Sequence, residues 1–303
     1  MQDYLKKFLL EDRSVRIESV HVTDAWHSAQ SHQNHPPVIA ALLGELLAAS
    51  ALLAANLKFD GSLLLQLQGD GPIALMVAEC RADMSLRATV KLRDRPVDPD
   101  GDLQSLLNPG GTAKFIVVLD PPKDTPGRQA YQGIVPLEGD TIAEALEQYM
   151  LRSEQLDTRI WLAANTACCT GLLLQRLPLQ GGSQQTENDA ALESWNRAVL
   201  LAETLKPDEM LSTGQDVLLH RLFWEETLLT FEPRLIIWKC SCTRERVADM
   251  LKMLGQPEVE SILVEQGKVE VACEFCGKPY LFDAIDTDGL FQGITASGSK
   301  SVH

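Results

Sequence analysis

The sequence predicts an α+β protein: an N-terminal α/β domain with a largely antiparallel sheet, a helical connector, and a small C-terminal module built on four cysteines. Three observations predict it. Up to residue 178, apolar runs of strand length are divided by Gly/Pro turns and interrupted by two helical patterns. At Pro178 the chain turns polar and Gly-rich, then acidic and helical. Four of the seven cysteines fall in the last quarter. A length of 303 residues fits about two domains at roughly 150 residues each.

Taken in order, Val38 to Leu57 is the first long apolar stretch. It has the length of a membrane span, but Glu45 lies inside it and no basic cluster flanks it, so a buried core helix is expected, entered at Pro36-Pro37 and stopped at Asp60-Gly61. Ser62 to Gln68 and Ile73 to Ala78 read as a hairpin around Gly69-Asp70-Gly71-Pro72. Leu86 to Arg93, Lys114 to Leu119 and Tyr131 to Leu137 read as further strands, the last after a Pro/Gly-rich loop at Pro121 to Gly127. Thr141 to Leu151 has a cap, an acidic residue three positions on and helical apolar spacing. Arg159 to Ala164 and Leu172 to Arg176 suggest another strand pair. The polar run through Gly181 and Gly182 marks a boundary, and helical patterns recur from Ala190 to Phe231, broken at Pro207 and Thr213-Gly214. This connector is acidic yet carries Trp195, Leu200, Leu201, Leu218, Leu219, Leu222, Phe223 and Trp224, so it must bury an apolar face on a neighbour or expose one on leaving it. The expected partition is a core domain over 1–178, a connector over 179–232 and a cysteine module over 233–303, with a disordered tail after Gly293.

Composition narrows the function. Hydrophobic residues at 45% and charged residues at 23% describe an ordinary soluble protein. A net charge of −15 repels phosphate and anionic lipid, so neither nucleic acid nor membrane is an expected partner. The N-terminus lacks the apolar region and cleavage site of a signal peptide, which makes the cytoplasm the expected compartment. No nucleophile elbow, phosphate loop or dinucleotide fingerprint occurs, and no enzymatic activity is expected.

The chemistry lies in the cysteines. Cys240 and Cys242 form C-x-C, Cys273 and Cys276 form C-x-x-C, and 30 residues separate the pairs. Two close thiolate pairs supply the four-sulfur shell zinc prefers, with no open position for a reacting water, so the metal would be structural or redox-releasable rather than hydrolytic. Gly277 permits the tight turn of a metal knuckle. Between the pairs, Arg244 to Leu254 reads as an amphipathic helix stopped by Gly255 and Pro257, followed by a short helix and a strand at Lys268 to Ala272. So small a module depends on the metal for its fold. Oxidation of its thiolates would remove the ligands and couple metal release to unfolding, and a C-x-C disulfide is a strained, easily reduced ring. Three functions remain open on these residues: a thiol switch, a zinc-stapled binding or regulatory protein whose metal never leaves, and a thiol-disulfide oxidoreductase. The last is disfavoured because Gly277 to Phe282 reads as a turn returning to a strand rather than the start of a helix. Cys80, Cys168 and Cys169 read as small core residues, and His32 with His35 as part of a helix entry rather than a ligand pair.

At KCSCTRERV and CEFCGKPYLFD, and along LLGELLAASALLAANLKFDGSLLLQLQGDGPIALMVAEC, YQGIVPLEG and YMLRSEQLDT, the chain resembles the 33 kDa heat-shock protein family, redox-regulated holdase chaperones of the bacterial cytosol. The resemblance implies a reduced, inactive monomer in which Cys240, Cys242, Cys273 and Cys276 hold one zinc per chain. It further implies that oxidant with heat forms Cys240–Cys242 and Cys273–Cys276 disulfides, releases the metal, and exposes apolar surface on a homodimer that binds unfolding client proteins without ATP.

Overall fold

A computed structural model describes residues 3–56, 60–122, 129–178 and 185–292. The glycine-rich stretch at Gly181-Gly182, most of the Pro121 to Gly127 loop and the tail from Gly293 lie outside these residues. The chain divides between Lys239 and Cys240 into two compact units.

The first unit opens on two strands that the apolar pattern does not announce, β1 (Tyr4–Leu10) and β2 (Val15–Val22). They pair antiparallel, and Glu18, fully buried on β2, faces Lys7 Nζ across the pair at 3.5 Å and Arg16 Nε on its own strand at 3.6 Å. Burial pushes the Glu18 carboxyl up despite both cations. Helix α1 (Asp24–Gln30) follows, its open N–H groups capped by Asp3 rather than by its own first residue. The Asp3 carboxylate accepts from Thr23 N at 2.7 Å and from Ala25 N at 2.7 Å.

Helix α2 (Pro37–Ala54) is the apolar stretch foreseen as a core helix. It has the length and composition to cross a membrane, yet here it is packed within the unit, with Ile39, Leu43, Leu46, Leu47 and Leu52 at or below 1% exposure. Gly44 lets it lie close on neighbouring strands, since a Cβ there would stand 2.6 Å from the Ala164 Cβ. Glu45 has no ion-pair partner among the described residues, and burial alone raises its carboxyl to about 7. A carboxyl raised in the folded chain stabilises below its ordinary pKa and loses that contribution as pH rises through the folded value. Glu45→Gln is therefore expected to stabilise the fold at pH 8, by up to about 3 kcal/mol, read as a raised melting temperature, and to change little at pH 5; equal effects at both pH values would refute the assignment.

The foreseen hairpin is β3 (Ser62–Gln68) with β4 (Ile73–Arg81), and β5 (Ser85–Leu92) extends it. Arg93 braces the turn by donating to the carbonyls of Gly69 and Gly71, both at 2.7 Å. After a short helix α3 (Leu103–Leu107) come β6 (Lys114–Asp120) and β7 (Tyr131–Pro136). Helix α4 (Ile142–Tyr149) starts at Thr141, whose hydroxyl accepts from Glu144 N at 3.1 Å, and ends in a π-helical turn, Met150–Glu154. Strands β8 (Thr158–Ala164) and β9 (Cys169–Arg176) pair as expected.

The acidic region contains helices α5 (Gln185–Ala202), α6 (Pro207–Ser212) and α7 (Gln215–Leu222). Its last residues are not helical: Leu228–Thr230 forms β10, which pairs with β1. Two-residue strands β11 (Arg234–Leu235) and β12 (Ile237–Trp238) follow. The sequence suggested one sheet, whereas the described residues of this unit form two, in the orders β10-β1-β2-β9-β8, with β11 also on β1, and β12-β5-β4-β3-β6-β7. All pairings are antiparallel except β12 on β5. Alternation along β9 sends Leu173 and Cys169 to the core around α2, and Leu172 and Leu174 to a second core. There Leu10, Val15 and Ile17 meet Ala198, Ala202, Met210, Leu218, Leu219, Leu222 and Phe223 from the acidic region. That region is thus packed on the outer face of the first sheet.

The second unit comprises α8 (Arg244–Leu254), α9 (Gln256–Gln266), the hairpin β13 (Val269–Ala272) with β14 (Pro279–Phe282), and α10 (Ala284–Gln292). Its core is six buried side chains, Leu251, Val259, Val269, Tyr280, Phe282 and Phe291.

Candidate metal centre

Cys240 and Cys242 sit in the extended segment that leads into α8, whose cap Thr243 accepts from Arg246 N at 3.3 Å. The capped helix end next to Cys242 directs its positive dipole end toward the thiols. Arg246 also donates to Ser241 O at 2.9 Å, fixing the residue between the two cysteines. Cys273 and Cys276 are carried by the β13–β14 turn. Cys273 N donates to Lys278 O at 3.0 Å and Gly277 N to Cys273 O at 2.8 Å, with Gly277 at a φ of 63° that a side chain would resist. Arg244 locks the hairpin to the helix, its guanidinium 4.2 Å from the Phe282 ring centre and bonded to Asp286 at 2.7 Å.

These two supports bring the four sulfurs within 4.8 Å of one another. Cys240 and Cys273 sulfurs are 3.7 Å apart, and those of Cys242 and Cys276 3.3 Å. A tetrahedral zinc with sulfur bonds of about 2.3 Å sets its sulfurs about 3.8 Å apart, so the donor set fits that ion in both type and spacing. Burial, then the neighbouring sulfurs, raise Cys276, and burial raises Cys240. Cys242 moves the other way. Burial opposes its ionisation, but the Tyr280 hydroxyl and the other thiols outweigh it and bring Cys242 to about 7. The Tyr280 hydroxyl is buried without a hydrogen bond of ordinary geometry and stands beside this thiol.

Tyr280 belongs to neither cysteine motif; the β13–β14 register, closed at Ala272 and Pro279, sets it opposite Val271. The other cysteines lie elsewhere. Cys80 and Cys169 are fully buried and Cys168 is 6% exposed; burial pushes all three thiols up, Cys80 to about 12. His35 bonds to Gln33 at 3.0 Å, and His32 lies 6.2 Å from the Trp238 ring. Among the described residues neither histidine belongs to a cluster that could hold a metal.

The chain is similar to known proteins along nearly its whole length. The family model described as Hsp33 protein matches residues 3–283. The 33 kDa chaperonin of Chromobacterium violaceum is 44% identical over 303 residues, covering 99% of this chain and 98% of that protein. The 33 kDa chaperonin of Methylobacillus flagellatus is 42% identical over 96% of this chain and 95% of its own. A crystal structure of the 33 kDa chaperonin from Thermotoga maritima superposes with a TM-score of 0.80 at 21% identity, over 98% of this chain and 100% of that one, and so shares the fold. Identity at this level, sustained along nearly the whole of both chains, shows that the chain belongs to the Hsp33 protein family.

Proposed function

We propose that this protein is a cytoplasmic molecular chaperone of the holdase type, without enzymatic activity, whose grip on unfolding proteins is switched on by oxidation of Cys240, Cys242, Cys273 and Cys276. The observation that carries the reading is the meeting of four thiols in a unit whose described residues supply six buried core side chains. Zinc, one per chain in the reduced form, would cross-link the four thiolates and hold that unit folded, a contribution on the order of 10 kcal/mol.

Each disulfide forms as a thiolate pair gives up two electrons, and one peroxide takes them with two protons from solvent to leave two waters. Two peroxides therefore convert the four thiolates into two disulfides. Oxidised sulfurs no longer offer the charge and donor strength a zinc ligand needs, so the four residues lose their hold on the ion and the unit loses its cross-link. We assign the pairs as Cys240–Cys242 and Cys273–Cys276, within each motif. The closest sulfurs of the reduced chain lie between motifs, so peptide mapping separates the two pairings. The region 179–232 would act as the connector: once it lifts from the first sheet, Leu10, Val15, Ile17, Leu172 and Leu174 become surface for clients, and the active form would be a homodimer.

The test is light scattering from a thermally unfolding client. The peroxide-treated protein is expected to suppress aggregation and the reduced, zinc-loaded protein to leave it unchanged, with zinc appearing in solution as activity does. Equal behaviour of both forms, with zinc retained, would leave a permanently stapled binding protein instead.

A further inference from the structure

We propose that the outer edge of β7 is a strand-addition site for extended segments of non-native protein, an inference that rests on the holdase reading above. Among the described residues, the two sheets of the first unit finish their four edges differently. The outer edge of β1 is closed by the returning chain, with Phe231 N donating to Lys7 O at 3.1 Å and Ile236 N to Asp3 O at 2.9 Å. Along β5, Ile237 N donates to Met84 O at 3.3 Å, Lys239 N to Leu86 O at 3.1 Å and Gln33 Nε2 to Ala88 O at 3.3 Å. On β8 the outward amide of Ile160 donates to the Glu147 carboxylate at 2.7 Å. Three edges thus carry the covers by which sheets avoid pairing with foreign chains.

The fourth does not. Leu137 N donates to Ala113 O at 3.0 Å, which fixes the alternation of the β6–β7 ladder. Val135, Gly133 and Tyr131 bond inward to β6, while Gln132 and Ile134 turn their N–H and C=O groups outward and Pro136 turns only a carbonyl outward. Among the described residues nothing bonds to these outward groups. The strand YQGIVP holds no charge, in a chain of net charge −15, so the acidic surface does not reach onto this edge as a deterrent. Ile134 is 55% exposed and lies opposite Ile116, with Val118 opposite Gln132. An incoming strand would therefore find backbone partners for any sequence and an exposed apolar neighbour at Ile134.

This combination selects an extended, partly apolar polypeptide rather than a folded protein. Backbone pairing is indifferent to sequence, as a holdase requires, and proline alone among the residues defeats it. So short a ladder does not retain a client by itself. It adds to the apolar surface uncovered by oxidation, which is why an edge already open in the reduced chain is compatible with an inactive reduced chain.

The experiment uses the full chain in its oxidised form, with thermally unfolded luciferase as client. Ile134→Pro removes an outward N–H that β6 does not use, so the internal ladder survives; circular dichroism and the melting temperature check this. About fivefold more Ile134→Pro protein should be needed for half-suppression of aggregation, the equivalent of one backbone hydrogen bond, with Ile134→Val close to wild type. In the unmodified protein, client should slow hydrogen exchange at the amides of Gln132 and Ile134. If wild type suppresses aggregation while Ile134→Pro matches it and those amides exchange unchanged, the edge is not used, although the holdase reading stands. Protection already complete without client, and rising with protein concentration, would assign the edge to a second copy and overturn the proposal. Failure of wild type to suppress aggregation in either redox form would remove both readings together.

Discussion

Cys273→Ser is expected to empty the metal centre and unfold the second unit together. The hydroxyl that replaces the thiol is neutral at physiological pH and a poor zinc donor, and the remaining three sulfurs leave one corner of the shell to water. Zinc content should fall from one per chain to a small fraction of that, read by a chromophoric chelator after denaturation. The structural consequence follows from the smallness of the core. Leu251, Val259, Val269, Tyr280, Phe282 and Phe291 are its buried side chains, and Cys242 and Cys273 themselves pack against that cluster. Such a core is below what an unstapled domain needs. Residues 240–292 should therefore become the first site of proteolysis in the reduced variant, while the first unit resists. Cys168→Ala is the control. That thiol is 6% exposed and donates to Leu211 O at 3.7 Å, far in sequence from the shell, so zinc content and oxidant response should stay as in wild type. Unchanged zinc in Cys273→Ser would exclude the four-sulfur shell.

The parts legible in the sequence were those whose reason for folding is local. Helix α2, the Gly69–Pro72 hairpin and the Thr141 cap declare themselves within a few residues of chain, and the two cysteine motifs announce the cluster of four sulfurs by their spacing. Strands β1 and β2 were not legible for a physical reason: their interior includes Glu18, Arg16 and Lys7, charges that break apolar alternation and make sense only once the two strands lie side by side. Strands β10, β11 and β12 are two or three residues long and exist through pairing with residues more than 150 positions away, a distance at which a local pattern carries no information. Tyr280 was missed similarly, since its nearness to Cys242 depends on the hairpin register and not on any motif. The connector lies between these cases. Its apolar residues announced that it must cover something, but the covered residues, Leu10, Val15, Ile17, Leu172 and Leu174, are drawn from three strands of a sheet of which only β8 and β9 were foreseen.

That cover supports the second prediction, in which Phe223→Ala makes the reduced protein a chaperone without oxidant. Phe223 is 2% exposed and closes the end of α7 over the outer face of the first sheet, in the same cluster as Leu218, Leu219 and Leu222. Truncating a buried phenylalanine removes about 3–5 kcal/mol where the surroundings cannot collapse into the space. Beyond the rest of that apolar cluster, the β10–β1 pairing and hydrogen bonds from Ser194 to Asp12 and from Gln215 to Ser19, the connector is held by exposed charges. Its ion pairs with the rest of the unit, Lys6–Asp216 and Arg159–Glu203, involve partners exposed at 77% and 47%, and such pairs contribute little. A loss of that size is comparable with the stability of a locally unfolding segment, so a substantial fraction of chains should carry an undocked connector at rest. Reduced Phe223→Ala is expected to retain its zinc, because no residue of the shell has changed, yet to suppress client aggregation and to be cleaved rapidly between residues 185 and 222. The dissociation of metal from activity is what makes the result informative. If the connector becomes protease-sensitive while the reduced variant stays inactive, the outer sheet face is not the surface that binds clients. If activity appears with zinc in place, the four cysteines act on function only through what holds the connector down.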